Sequence, residues 1–315
     1  MEHLISIEET DLTTFYGASD SNVRLLQDLF PHLRIVARGN VIKISGSEEL
    51  IALFTSKVEA LMEYCNTYNK LPENIVREIV AGDNVIEGMP ENTILFGVSG
   101  RPIVAKTPNQ RKLVKIYDKN DLLFACGPAG TGKTYTAIAL AVRALKNREV
   151  KRIILSRPAV EAGENLGFLP GDLKEKIDPY LQPLYDALRD MIPSHRLREY
   201  MEEEVIHIAP LAYMRGRTLS NAVVILDEAQ NTTSNQLKMF LTRMGRNTKF
   251  IVTGDMTQVD LPHKVKSGLP HAINILKDIK GIGTVIFDEK DIVRHRLVQD
   301  IVKAYENSNE NNELL

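Results

Sequence analysis

A chain of 315 residues is long enough for one large domain or two smaller ones, each with a sizeable core. With 43% hydrophobic and 25% charged residues it is neither disordered nor fibrous, and 39 basic against 41 acidic residues give it no global cationic field. Contact with nucleic acid would therefore need a local patch. Cys65 and Cys126 are too few and too far apart for a disulfide scaffold or a zinc site. The N-terminus lacks the basic-then-apolar order of a signal peptide, and no apolar run approaches the ~18 residues of a membrane span. These features predict a soluble, cytoplasmic protein.

Residues 1–70 read as a small β-α-β-β-α domain. Leu4, Ile5 and Ile7 suggest a strand, and Ser21 caps a helix carrying Val23, Leu25, Leu26 and Leu29 that ends near Pro31. Arg34–Ala37 and Val41–Ser45 flank Arg38-Gly39-Asn40 as a hairpin, and Glu48–Tyr68 has helical apolar spacing. Residues 71–108 read as a connector, with a helix over Leu71–Val80 and two short strands at Ile94–Val98 and Ile103–Ala105. From 109 to 305 short apolar runs alternate with helical stretches: Leu122–Ala125, Ile153–Leu155, Val205–Ile208, Val223–Leu226, Phe250–Val252 and Val285–Phe287. That alternation predicts a doubly wound α/β domain on a parallel sheet. The polar tail, 306–315, is expected to fray.

Gly127-Pro128-Ala129-Gly130-Thr131-Gly132-Lys133-Thr134 fits G-x-x-x-x-G-K-[ST] in full, between a predicted strand and a predicted helix. The glycines let the backbone turn its N–H groups inward as an anion nest, and the helix presents its positive end to the same point. Lys133 would meet the β/γ oxygens of a nucleotide and Thr134 would ligate Mg²⁺. The run Val223-Val224-Ile225-Leu226-Asp227-Glu228 is an apolar strand ending in two acids. Downstream of a phosphate loop it reads as the second carboxylate motif, with Asp227 reaching Mg²⁺ and Glu228 polarising the attacking water. A third strand ends in Thr253-Gly254-Asp255-Met256-Thr257-Gln258, where Gln258 could orient that water. Gln110, 17 residues before Gly127, has an amide able to pair with adenine.

Taken together, GPAGTGKT, SRPAVEAGENLGFLPG (156–171), LAYMRGRTL (211–219), VILDEAQN (224–231), TGDMTQVDLP (253–262) and VRHRLVQDIVKAY (293–305) closely resemble the PhoH-like proteins. These are bacterial P-loop ATPases related to the first motor domain of superfamily 1 helicases. The resemblance implies a RecA/helicase-like P-loop NTPase domain over 109–305, with ATP bound at Gly127 to Thr134. It further implies metal and water activation by Asp227 and Glu228, a motif III-like role for Gly254, Asp255 and Gln258, and adenine reading by Gln110. It associates the chain with RNA metabolism and phosphate starvation, with hexameric rings, and with a metal-dependent endoribonuclease as partner.

The N-terminal unit resembles a KH-type module without a GXXG loop. Its ten acids against six bases through Lys70 oppose phosphate contact. A hydrolytic site also wants an arginine on the developing charge. Arg294 is the candidate finger, acting within a ring, while Arg215 and Arg217 around Gly216 suit an RNA or neighbour-subunit contact. Arg157, after a predicted strand, suits a nucleic-acid backbone. His263 and His295 lack ligand-spaced neighbours and read as ordinary polar histidines. The function expected is an RNA-associated ATPase. The alternative is an ATP-regulated adaptor that recruits a ribonuclease or ribosomal partner with little turnover.

Overall fold

The computed structural model describes residues 1–7, 10–82, 90–158, 173–262, 264–293 and 301, with side chains of 173–179 excepted. Two compact units emerge. The first comprises 1–104, 142–149 and 183–206, and the second the remainder.

The first unit opens with strand β1 (Glu2–Ser6). Two helices follow, α1 (Leu12–Tyr16) and α2 (Ser21–Leu29), where the spacing predicts one. Gly17 parts them at φ +76°, and a Cβ there would meet Ser21 Oγ at 2.5 Å. Asp11 caps α1 by accepting from the Thr13 and Thr14 amides, so the extra helix has its own start signal. Ser21 is the first residue of α2, one position inside its expected capping place. Strands β2 (Arg34–Arg38) and β3 (Val41–Ser45) form the hairpin, and β1 pairs with β3 to give an antiparallel sheet in the order β1-β3-β2. Along β3, Ile42 and Ile44 are buried and Lys43 exposed, the period of two that a one-sided sheet requires.

Helix α3 (Glu48–Tyr68) buries Ile51, Phe54, Val58, Leu61 and Cys65 along one face, and Phe30 meets Phe54 edge-on with ring centroids 5.1 Å apart. Helix α4 (Glu73–Ala81) adds Ile75, Val76 and Ile79 to that core, and strand β4 (Thr93–Phe96) adds Phe96. Strand β5 (Pro102–Val104) pairs with β4. Most of the stretch read as a connector over 71–108 is therefore packed into the first unit, because its apolar residues have a core to enter.

In the second unit, α5 (Pro108–Tyr117) leads into β6 (Leu122–Cys126), the phosphate loop and α6 (Lys133–Lys146), whose residues from 142 on count with the first unit. Next come β7 (Arg152–Arg157), α7 (Leu173–Met191), α8 (Ser194–Glu202, within the first unit) and β8 (Ile206–Pro210). The chain continues through β9 (Ala222–Leu226), α9 (Ser234–Leu241), β10 (Thr248–Gly254), α10 (Leu269–Leu276) and β11 (Ile282–Ile286). The sheet order is β11-β6-β10-β9-β7-β8. The pairs β11/β6, β6/β10, β10/β9 and β9/β7 are all parallel.

All six apolar runs of the sequence become strands, and every residue of β6 and β9 is buried, as central strands covered on both faces must be. Register fixes the function-bearing edge. Cys126 pairs with Gly254, Val252 with Leu226, and Ser156 with Leu226, so the C-terminal ends of β6, β10, β9 and β7 line up. Among the described residues no helix is long and apolar enough to cross a membrane. The tail at 306–315 lies outside the described residues.

Candidate functional site

The phosphate loop leaves β6 through Gly127 at φ +151°, and Gly130 and Gly132 also have positive φ, at +81° and +77°. A Cβ on Gly127 would stand 2.4 Å from the Phe287 carbonyl oxygen, so the loop can pass beneath the end of β11 only as glycine. The Gly127 amide donates to the Gly254 carbonyl at 3.1 Å. Lys133 is buried and its Nζ donates to the carbonyls of Gly127 and Pro128, both at 2.7 Å. Burial pulls its ammonium below the usual lysine range, against the carboxylates of Asp255, Glu228 and Asp227, which hold it up. The Ala129 amide donates to Asp255 Oδ2 at 3.0 Å, so one loop N–H already holds an anionic oxygen.

Asp227, buried at the end of β9, accepts at one oxygen from two hydroxyls. Thr134 Oγ1 and Thr253 Oγ1 each lie 2.6 Å from its Oδ1. The first residue of helix α6 after the loop lysine is thereby tied to the second carboxylate motif. Glu228 follows in a left-handed backbone, φ +53°, and leads a short 3₁₀ turn over Ala229–Asn231. Both of its carboxylate oxygens are engaged: Arg157 Nη2 lies 3.1 Å from Oε1, and Gln230 Nε2 donates to Oε2 at 2.6 Å. Arg157 also donates through Nη1 to the Tyr180 carbonyl at 2.7 Å.

Gln230 is the residue that sequence reasoning missed. It is 1% exposed, accepts the Asp255 amide at 3.0 Å on Oε1, and donates from Nε2 to the Gln258 carbonyl at 3.0 Å as well as to Glu228. Asn231 repeats the pattern, accepting the Asp260 amide at 2.8 Å. Two amide side chains one residue past the acids, after Ala229, were the available signal, since a buried amide needs partners on both ends. Gln258 itself is exposed and joins this network through its backbone. Asp255 is fixed further by the amide and hydroxyl of Thr257, at 2.9 and 2.6 Å.

Gln110 is buried beside the loop rather than open to it. Its Oε1 accepts the Lys106 amide at 2.7 Å and its Nε2 donates to the Thr131 carbonyl at 2.9 Å, while Thr107 completes a capping box at the start of α5. Arg215 is exposed in the turn containing Gly216, and Arg217, half-buried, has Nη1 3.5 Å from His207 Nε2. Arg294, His263 and His295 lie outside the described residues.

The residues fit a nucleotide with its magnesium. The loop's three glycines all have positive φ, the backbone conformation that turns amides inward toward an anion. Thr134 and Asp227 supply the hard oxygen donors Mg²⁺ prefers, one carboxylate and a hydroxyl being enough when phosphates complete the shell. Among the described residues no group of three or more His, Cys, Asp or Glu that could hold a metal occurs.

Comparison with known proteins places these features in a family. The model of the family described as PhoH-like protein matches residues 102–306. The PhoH-like protein of Bacillus subtilis (strain 168) is 48% identical over 319 residues, covering 98% of this chain and 99% of that one. The PhoH-like protein of Synechocystis sp. is 48% identical over 87% of this chain and 85% of its own. Protein PhoH of Escherichia coli (strain K12) is 47% identical over 65% of this chain and 58% of its own. Among solved structures, the Pif1 helicase from Candida albicans aligns at 17% identity and TM-score 0.35, over 65% of this chain and 44% of that one, too remote to bear on function. With a family match over most of its length and a relative nearly half identical from end to end, the chain belongs to the PhoH-like proteins, built on a P-loop NTPase fold.

Proposed function

We propose that this protein binds ATP with Mg²⁺, hydrolyses it, and couples that cycle to RNA. The observation that carries the reading is the Thr134–Asp227 hydrogen bond, 2.6 Å long, which brings the phosphate loop onto the second carboxylate motif with Glu228 next in sequence. Lys133 and the loop amides bind and orient the phosphates, and Thr134 and Asp227 hold the metal. Bound Mg²⁺ would neutralise charge on the β- and γ-phosphate oxygens. Glu228 accepts a proton from the attacking water; Gln230 donates to its Oε2 and Arg157 pairs with its Oε1. Arg215 and Arg217, with Arg294 as the finger in a ring of subunits, are the proposed RNA and neighbour contacts. An endoribonuclease partner remains part of this reading through family likeness alone.

The adaptor reading draws support from a different feature. Glu228 is held at both oxygens by protein partners, which suits slow turnover. Phosphate release from ATP and Mg²⁺, measured with and without single-stranded RNA, separates the two. RNA stimulation that disappears in Glu228→Gln supports a coupled ATPase. Slow release indifferent to RNA, with ATP still bound, rejects it in favour of the adaptor.

A further inference from the structure

Arg157 occupies a place that phosphate binding does not require. Parallel pairing sets Ser156 of β7 opposite Leu226 of β9, so the next residue on each strand, Arg157 and Asp227, emerges at the same edge, with Glu228 one step beyond. The guanidinium spans two acceptors. Nη1 is anchored on the Tyr180 carbonyl at 2.7 Å and Nη2 reaches Glu228 Oε1 at 3.1 Å. The other carboxylate oxygen of Glu228 takes the Gln230 amide at 2.6 Å. The left-handed backbone of Glu228 and the 3₁₀ turn after it fix the direction in which the side chain leaves the chain. With side chains 21% and 33% exposed, the pair is only partly screened by solvent.

The contrast with Asp227 is chemical. Asp227 is held by two neutral hydroxyls, which leave its charge available to a metal. Glu228 is held by a guanidinium on one oxygen and an amide on the other, so a water must compete with a protein donor at either oxygen while both contacts last.

We propose that Arg157 is a positioning residue that restrains hydrolysis: it holds the Glu228 carboxylate away from the attacking water, and turnover requires the guanidinium to let go. This rests on Glu228 acting as the base. The dual anchor explains why arginine stands here. A single lysine nitrogen could not hold a backbone carbonyl and a carboxylate in the fixed fork that a guanidinium supplies.

The test is steady-state phosphate release with ATP and Mg²⁺, paired with equilibrium nucleotide binding, on the full chain. R157Q is expected to raise kcat about fivefold, the scale of a half-exposed ion pair, with nucleotide affinity held within about twofold. R157K should give a smaller rise, because it keeps the charge and loses the fork. A merely structural role would lower kcat or weaken binding. R157Q turnover at or below the parent, in protein that melts as the parent does, overturns the proposal. Where R157Q does not fold, R157K decides by the same criterion. E228Q should be silent alone and combined with R157Q. Equal rates for E228Q and the parent would remove the base assignment itself, an outcome distinct from failure of the restraint.

Discussion

Gln110 Nε2 donates to the Thr131 carbonyl across 2.9 Å, so the first turn of α5 braces the middle of the phosphate loop. The other end of the same amide accepts the Lys106 backbone N–H at 2.7 Å. An amide committed at both ends acts on the loop's shape before it acts on a base. Gln110→Glu keeps the acceptor and sets a carboxylate against the Thr131 carbonyl. It should weaken ATP and GTP binding by the same factor, about five- to tenfold. Titrating both nucleotides checks this, and a loss confined to adenine would return Gln110 to base reading.

The loop's glycines differ in what they tolerate. Gly127→Ala combines φ +151° with a Cβ 2.4 Å from the Phe287 carbonyl oxygen, a backbone atom that cannot swing aside. It should cost at least about 1–3 kcal/mol and abolish nucleotide binding. Gly216→Ala, at φ +76° with nothing within 4 Å, should cost only the left-handed backbone strain, about 1–2 kcal/mol. Thermal unfolding of the two variants, with nucleotide titration, orders them, and equal effects would show that crowding under β11 is relieved by movement.

How much of this was legible in the sequence follows from how local each feature is. The phosphate loop is eight consecutive residues, and Asp227 and Glu228 end a run of fully buried strand residues, so pattern alone finds them. Gln230 was not legible as a hub because its partners Asp255 and Gln258 stand 25 and 28 residues away, joined to it only once β9 and β10 pair. The Arg157–Glu228 contact likewise depends on the β7/β9 register. Helix α1 was not legible because its five residues are too few for an apolar period to show. Residues 142–149 and 183–206 join the first unit through tertiary packing, and no shift in composition marks them.

Lys133 gives the site an alkaline signature. Burial lowers its pKa below the ordinary lysine value of 10.5. As pH rises through that lowered pKa the folded protein loses the charge that meets phosphate, and nucleotide affinity falls earlier than an exposed lysine would allow. Stability moves the other way. Between the folded pKa and 10.5 the unfolded chain binds more protons at this site, so the contribution of Lys133 to stability increases with pH. Lys133→Met should flatten both dependences and weaken ATP binding at neutral pH. Binding and denaturant unfolding measured across the alkaline range test it, and an affinity that holds steady up to pH 10.5 would contradict it.

Gln230 makes the most exacting prediction, because one amide serves three partners. Gln230→Glu preserves size and the acceptor for the Asp255 amide, but it removes the donor to Glu228 Oε2 and to the Gln258 carbonyl and brings two carboxylates into contact range. Like charges at that separation repel, so Glu228 should lose the amide that orients Oε2 while Arg157 still holds Oε1, and turnover should fall well below the parent. Nucleotide affinity should change little, since Lys133 and the loop amides are untouched. Gln230→Ala strands the Asp255 amide and should cost about 1–3 kcal/mol of stability besides. Phosphate release, nucleotide titration and thermal melting on the two variants separate these effects. If Gln230→Glu turned over ATP like the parent, the amide would be a core filler and the link from Asp255 to Glu228 would carry no catalytic weight.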